Sequence, residues 1–376
     1  MKKYFISAIS AIVLSLAVSG CSSDNKGASE ANVGGLPDTM VWSAYSLGSG
    51  SYNDTSGIAD AISSAYGTQI RLLPADTGIA RLKRLTDGTA DFAVLGDEYV
   101  FSSEGTFDFA EKGRGPQDLR FVWGPPTPLG LAVNGKSNTK TISDLKGKKV
   151  PRVLASDSVN QKMEAYLAYG GLTWNDVDAI DISYSDQANA FKAGQFDAII
   201  MGPYGSALYE IENAVDIKWV SLDPNNKEGV ENIKKIAPQV VVAPFSKAAG
   251  MEEGEEVYGI SYPSPFVTRA DVDADTVYNL VVAIDSQYDK FKNTTLSLSD
   301  YNLENVLKDP LVVPFHEGVV RYFKEKNVWS DEKEKKNNEL IERQKKLQEG
   351  WKTTLNSSSD ANFTENWLKW RKDNMK

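Results

Sequence analysis

One junction occurs twice in this chain. Leu85-Thr86-Asp87-Gly88-Thr89-Ala90-Asp91-Phe92-Ala93-Val94-Leu95-Gly96 is matched by Phe191-Lys192-Ala193-Gly194-Gln195-Phe196-Asp197-Ala198-Ile199-Ile200-Met201-Gly202. Glycine, aspartate and glycine keep the same spacing in both. Gly88 and Gly194 suit the position that closes a helix. Each aspartate opens a short, continuously apolar run, which is the mark of a strand buried on both faces. The second glycine ends the run.

The surroundings of the two junctions also match. Met40–Tyr45, Gln69–Leu73 and Ala90–Leu95 read as strands, separated by helices over Thr55–Tyr66 and Ile79–Leu85. Lys149–Leu154, Ala179–Ile182 and Ala198–Met201 read as strands, separated by helices over Val159–Tyr169 and Asp186–Lys192. Two βαβαβ runs predict an α/β chain of two lobes, each a mostly parallel sheet flanked by helices. The cleft between them is the expected ligand site. The extended, proline-bearing Tyr258–Val267 is expected to return the chain to the first lobe. Amphipathic helices follow over Ala274–Tyr288, Tyr301–Leu307, Phe315–Lys326 and Glu332–Leu355. A last helix carries Phe363, Trp367 and Trp370, an aromatic stripe expected to pack on the body.

The first residues carry a different message. Lys2 and Lys3 precede an apolar stretch that ends in Val18-Ser19-Gly20-Cys21, and Cys21 is the only cysteine. A charged segment, an apolar segment and small residues at a cleavage point form a secretory signal. A cysteine directly after them is the lipoprotein pattern, in which the thiol is acylated (palmitate among the chains). The reading is therefore a signal peptide over 1–20, a tether over 21–38 rich in Gly and Ser, lobe 1 over 39–134, lobe 2 over 135–260, and a return to lobe 1 with C-terminal helices over 261–376. It places the protein outside the cytoplasm, at the periplasmic face or outer cell surface, held by lipid alone.

Composition removes several functions. A net charge of −10 and a sequence pI near 4.9 argue against nucleic acid. One His and one Cys preclude a metal site built on those ligands. His316 is the only histidine available to a Ser-His-Asp triad, and no Gly-x-Ser-x-Gly elbow supplies its serine. Gly48-Ser49-Gly50 lacks the Walker lysine and the full dinucleotide fingerprint. No cofactor, no metal and no catalytic residue are expected; the chain reads as a binder.

Ligands of open α/β sheets sit at the carboxyl ends of strands. Those ends carry Tyr45 to Tyr52, Asp76-Thr77-Gly78, Asp97-Glu98, Ser156 to Asn160, Tyr184-Ser185 and Gly202-Pro203-Tyr204. The serines and Thr77 could equally be helix caps, Tyr45 and Trp123 core residues, and Asp97 and Glu98 solvated loop acids.

Gly48-Ser49-Gly50-Ser51-Tyr52 with Gly57 and Ala59, then Gly78, Leu82 and Asp87–Phe92, resemble the TAXI family, the solute receptors of tripartite ATP-independent (TRAP) transporters. Ile142–Val150, Gly171-Leu172-Thr173 with Asp176-Val177, Ala188–Asp197 and Pro314–Phe323 continue the resemblance, which spans roughly 40–355. It implies a two-lobed periplasmic-binding-protein fold with two hinge crossings, a small carboxylated solute such as glutamate, glutamine or a 2-oxo dicarboxylate, and a TRAP-type permease as partner. By position, Ser49, Tyr52, Thr77, Gly78 and Asp97 fall in ligand-facing loops of the first lobe, and Ser156, Ser158 and Tyr184 in those of the second. Tyr45 and Trp123 are expected to wall the site, and His316 to be structural. Three departures, at Ser51, at Trp123–Pro128 and at Ser156–Asn160 with its acid Asp157, suit an aromatic or amine-bearing solute against Trp123, Tyr45, Tyr52 and Asp157 equally well. Two other receptor readings stay open: the binding component of an ATP-driven (ABC) importer, and an anchored sensory module that contacts a histidine kinase.

Overall fold

The computed structural model describes residues 34–308 and 311–375. The signal peptide, Cys21 and the tether as far as residue 33 lie outside the described residues. Chain order runs β1 (Thr39–Ala44), α1 (Gly50–Tyr66), β2 (Gln69–Pro74), α2 (Gly78–Thr86), β3 (Phe92–Val94), α3 (Glu98–Glu104) and β4 (Leu119–Trp123). It then crosses into β5 (Pro126–Asn134), β6 (Lys149–Val153), α4 (Asp157–Tyr169), β7 (Asp178–Ile182), α5 (Gln187–Lys192), β8 (Ala198–Met201), α6 (Ser206–Ile211), β9 (Ile217–Trp219), α7 (Lys227–Ile236), β10 (Val241–Ser246) and β11 (Glu256–Pro263). It returns through β12 (Phe266–Arg269) to α8 (Ala274–Phe291), α9 (Leu303–Val306), α10 (Glu317–Glu325), α11 (Asp331–Ser357) and α12 (Phe363–Asn374).

Two α/β lobes result. The first sheet has the order β2-β1-β3-β12-β4, with β1, β2 and β3 parallel and the returning β12 antiparallel to β3 and β4. Its core joins Trp42, Phe92, Trp123 and Phe266 to Val277, Leu280 and Phe323 of the later helices. The second lobe holds β10-β11-β5-β8, with β9 on β5, and a separate parallel pair β6-β7. Its ladders other than β6-β7 are antiparallel, because the crossing strands β5 and β11 enter it head to tail. β5, within the first lobe on the sequence reading, pairs with β8, β9 and β11.

The repeated junction has a physical basis. Asp91 donates its backbone N–H to Val41 O at 2.8 Å and accepts the Val41 N–H on Oδ2 at 2.7 Å. Asp197 treats Lys149 the same way, at 2.9 and 2.8 Å. Each aspartate thus extends a short strand by a two-bond clasp onto the first strand of its own unit. Gly88 and Gly194 end the preceding helices at φ +76 and +71, where a Cβ would be strained.

α1 begins at Gly50 rather than Thr55. Ser49 caps it, accepting the Tyr52 N–H at 3.1 Å, so the polar Asn53-Asp54 segment lies inside the helix. His316 caps α10, accepting the Gly318 N–H on Nδ1 at 3.2 Å. The C-terminal hairpin α11–α12 packs on lobe 1 through Trp351, Phe363 and Trp367, with Trp367 Nε1 donating to Gly105 O at 2.6 Å. Arg343 grips both oxygens of Glu104 at 2.7 and 2.8 Å, and Arg371 adds a bond at 2.6 Å. Glu104 is the last residue of α3, so the hairpin holds that helix by its C-terminal end.

Burial works to raise the Glu104 carboxyl, but the hydrogen bonds and charges of Arg343 and Arg371 outweigh it and hold it below the ordinary glutamate value of 4.5. A depressed carboxylate contributes stability above its unfolded pKa and loses it as pH falls. Glu104→Gln is therefore expected to lower stability by about 1–3 kcal/mol at pH 7. Denaturant titrations should show the deficit shrinking to nothing well below pH 4.5.

Candidate functional site

Both crossings pass the same point. Between β4 and β5 the chain runs through Gly124-Pro125, and between β11 and β12 through Ser264-Pro265. A cavity of about 70 Å³ opens there, walled by both lobes and by the crossing strands. Lobe 1 contributes Tyr45, the first turn of α1 at Ser49, Gly50 and Ser51, Asp54, and Ser297 with Tyr301. Lobe 2 contributes Leu129, Tyr184 and Gly202-Pro203-Tyr204. Thr127, Pro128, Tyr262 and Ser264 come from the crossings.

Beside the cavity the lobes are tied by a buried polar cluster. Asp97 stands before α3 and Lys162 lies on α4; both side chains are fully buried, and they form an ion pair across the cleft. Gln239 Nε2 donates to Asp97 Oδ2 at 2.8 Å, and the Asp97 N–H donates to Ser158 Oγ at 3.1 Å. The Lys162 ammonium also reaches Ser158 Oγ at 2.9 Å and lies 3.6 Å above the ring of Tyr262. Ser206 Oγ donates to Gly48 O at 3.0 Å, again from lobe to lobe.

A second buried cation backs the cavity from lobe 1. Arg81 donates to Val94 O, Ala75 O and Asp76 O at 3.0, 3.1 and 3.3 Å, and its guanidinium lies 3.6 Å over the Tyr45 ring. Glu98 is buried between Gly78 and Gly96, where a Cβ at either glycine would meet its carboxyl group. Burial raises the Glu98 carboxyl, opposed by the Arg81 charge. Burial also pushes the Tyr45 hydroxyl up to about 12.

The expected site residues separate into groups. Tyr45, Ser49 and Tyr184 line the cavity; the Tyr184 hydroxyl accepts the Gly202 N–H at 3.0 Å, and Ser49 also caps α1. Asp97 and Ser158 form the interlobe cluster, and Gly78 makes room for Glu98. Thr77 caps α2, accepting the Ala80 N–H at 3.2 Å. Four expected residues stand away from the cavity: Trp123, Tyr52, Ser156 and Asp157. Trp123 is fully buried in the lobe 1 core with Nε1 donating to Tyr301 O at 3.0 Å, because its strand is flanked by helices on that face. Tyr52 follows α1 to the outer groove between α1 and α8. Ser156 stands before α4 without a side-chain capping bond, and neither it nor Asp157 reaches the cavity.

Sequence reasoning reached Tyr204 through the Gly202-Pro203-Tyr204 strand end but passed over Asp54, Arg81, Lys162, Gln239, Tyr262 and Tyr301. A signal existed for two of them. Arg81 shares the apolar stripe of α2 with Leu82 and Leu85, and Lys162 that of α4 with Val159, Met163 and Tyr166. A cation on a core-facing stripe is buried and must find partners there.

A family model described as the NMT1-like family matches residues 46–326. The chain belongs to the NMT1-like family. The matched span runs through both lobes from the residue after Tyr45, contains every other cavity residue, and ends before the α11–α12 hairpin. No curated protein matches the sequence. Among solved structures, the chain is similar to the alkanesulfonate-binding protein SsuA of Xanthomonas axonopodis pv. citri, with a TM-score of 0.45 and 18% identity over 79% of this chain and 96% of that one. The aliphatic sulphonate binding protein SsuA of Escherichia coli gives 0.43 and 16%, over 69% and 79%. A putative L-cystine ABC transporter protein of Listeria monocytogenes gives 0.42 and 16%, over 72% and 100%. Among the described residues no helix is long and apolar enough to cross a membrane, and no cluster of three or more His, Cys, Asp or Glu could hold a metal ion.

Asp54 yields a direct test of the cavity electrostatics. It is 3% exposed, and burial raises its carboxyl to about 6 against the hydroxyl bonds from Ser297 and Thr295. A raised carboxyl binds its proton more tightly in the folded chain, so its stabilising effect is complete below pH 3.8 and is lost as pH climbs through 6. Asp54→Asn escapes that loss. It is expected to match wild type below pH 4 and to exceed it by about 2–3 kcal/mol above pH 6 in thermal unfolding.

Proposed function

We propose that this chain is an extracytoplasmic solute receptor, anchored through lipidated Cys21, that captures a small molecule between its lobes and passes it to a TRAP-type permease. The observation that carries the reading is the cavity at the two crossings, walled from both lobes and flanked by an interlobe ion pair. Such a geometry couples occupancy to hinge closure. A solute in the cavity touches both lobes only when they are together, so it favours the closed form by its differential affinity. The closed outer face is then the surface a permease reads. The permease and the lipid anchor rest on the TAXI resemblance and on the Val18-Ser19-Gly20-Cys21 segment.

The chemistry is binding rather than turnover. His316 spends Nδ1 on the α10 cap, remote from the cavity wall. The cavity wall carries serine, threonine and tyrosine hydroxyls with Asp54, and among the described residues no histidine or lysine.

The reading is tested by thermal unfolding of the purified chain against amino acids, 2-oxo acids, dicarboxylates, sulfonates and amines. At 100 times its dissociation constant a true solute adds about 2.7 kcal/mol. One class should raise the midpoint and be recovered unchanged after hours. Silence across all classes, or conversion of the solute, would contradict it. Cys21→Ser should release the chain from the membrane fraction without changing the midpoint shift.

A further inference from the structure

The cavity wall is unusual in what it holds and what it lacks. Tyr45, Tyr184, Tyr204, Tyr262 and Tyr301 contribute aromatic rings; among the described residues Asp54 is the one carboxylate, and no Lys or Arg lines it. Arg81 and Lys162 stand behind the wall rather than in it. Arg81 is committed to three backbone carbonyls, and Lys162 to Asp97 and Ser158. Each also lies 3.6 Å over a tyrosine ring, Tyr45 and Tyr262 respectively. Rings of this wall therefore already accept positive charge on their faces.

Among the described residues Asp54 has no such cation. Its partners are hydroxyls: Thr295 Oγ1 at 2.5 Å, and Ser297 Oγ at 2.7 Å to both carboxylate oxygens. Tyr204 and Tyr301 stand with it in the cavity wall. One turn earlier on α1, Ser51 Oγ is buried with no hydrogen-bond partner among the described residues. A buried carboxylate in a wall of tyrosines, with an unpaired hydroxyl one turn away on the same helix, is complementary to a positively charged nitrogen and ill suited to a second carboxylate. A stability penalty retained at a binding cavity is also what a functional charge looks like.

Resting on the receptor reading above, we propose that the solute carries a protonated or quaternary alkylammonium group, and that this group sits between Asp54 and the faces of Tyr204 and Tyr301. A cavity of about 70 Å³ suits a head group of a few heavy atoms. The rings attract the nitrogen through their quadrupoles, and Asp54 neutralises it out of water. Asp54 is then the residue that separates cationic solutes from anionic ones of equal size.

The test is calorimetric titration of the purified chain with trimethylammonium chloride, tetramethylammonium chloride, the uncharged isostere tert-butanol, and sodium succinate. The alkylammonium ions should bind at least roughly 30-fold more tightly than tert-butanol. Asp54→Asn should lose at least that factor for the ions, while its thermal midpoint shows it folded. Tyr301→Leu should lose roughly 5-fold or more, as removal of one aromatic wall requires. Binding of succinate with no response to either ion would overturn the cation assignment and leave the receptor reading standing. Equal affinity of Asp54→Asn and wild type for the ions would also overturn it. Silence to all four probes would overturn the assignment, and the wider solute panel would then decide the receptor reading separately.

Discussion

The ion pair between Asp97 and Lys162 is the interaction on which the closed molecule depends. Removing two charges from water costs several kcal/mol per ion, and their attraction returns that cost only when further hydrogen bonds complete the shell. Here the shell is built from both lobes: Gln239 and Ser158 from the second, the Asp97 backbone from the first, and the ring of Tyr262 from the crossing strand. Were the lobes to part, both charges would regain water and nothing would be left unpaired. The pair therefore favours closure only modestly while defining its geometry closely. That is the balance a receptor needs, since a solute of ordinary affinity can tip an equilibrium only when the two states lie within a few kcal/mol.

The rest of the fold serves that contact. α3 is seven residues long, with Asp97 and Glu98 at its cleft end and Glu104 at the other. Arg343 and Arg371 fasten Glu104, and Trp367 fastens the following Gly105, so the hairpin outside the family match buttresses the helix that presents Asp97. On the opposite side, the Asp91 and Asp197 clasps fix the strands whose ends carry the cavity loops. The two crossings, each proline-bearing, are the only covalent ties between the lobes among the described residues.

Much of this was legible in the sequence, for a reason. Strands buried on both faces and helices with an apolar stripe announce themselves through periodicity, so the two-lobed α/β architecture could be read directly. The Gly-x-x-Asp junctions could be read because a backbone clasp demands an aspartate at one fixed offset from the strand. The candidate site was only partly legible. Tyr45, Ser49 and Tyr184 follow from the rule that ligands sit at strand ends, but Trp123 sits at such an end and is core, because its ring turns towards α10 and Phe323. Asp54, Tyr262 and Tyr301 reach the cavity from a helix interior, a crossing strand and a late loop, whose convergence is set by tertiary packing. Lys162 and Arg81 carried a local signal, a charge on an apolar face, whose meaning depends on partners distant in sequence.

The central claim is that occupancy of the hinge cavity and closure of the lobes are one equilibrium. Small-angle X-ray scattering of the purified chain, with and without a solute that raises its thermal midpoint, tests it most directly. The solute-saturated curve should match the structure with its lobes together, and removal of solute should increase the radius of gyration. Identical curves in the two conditions, with binding shown to be saturated, would contradict it.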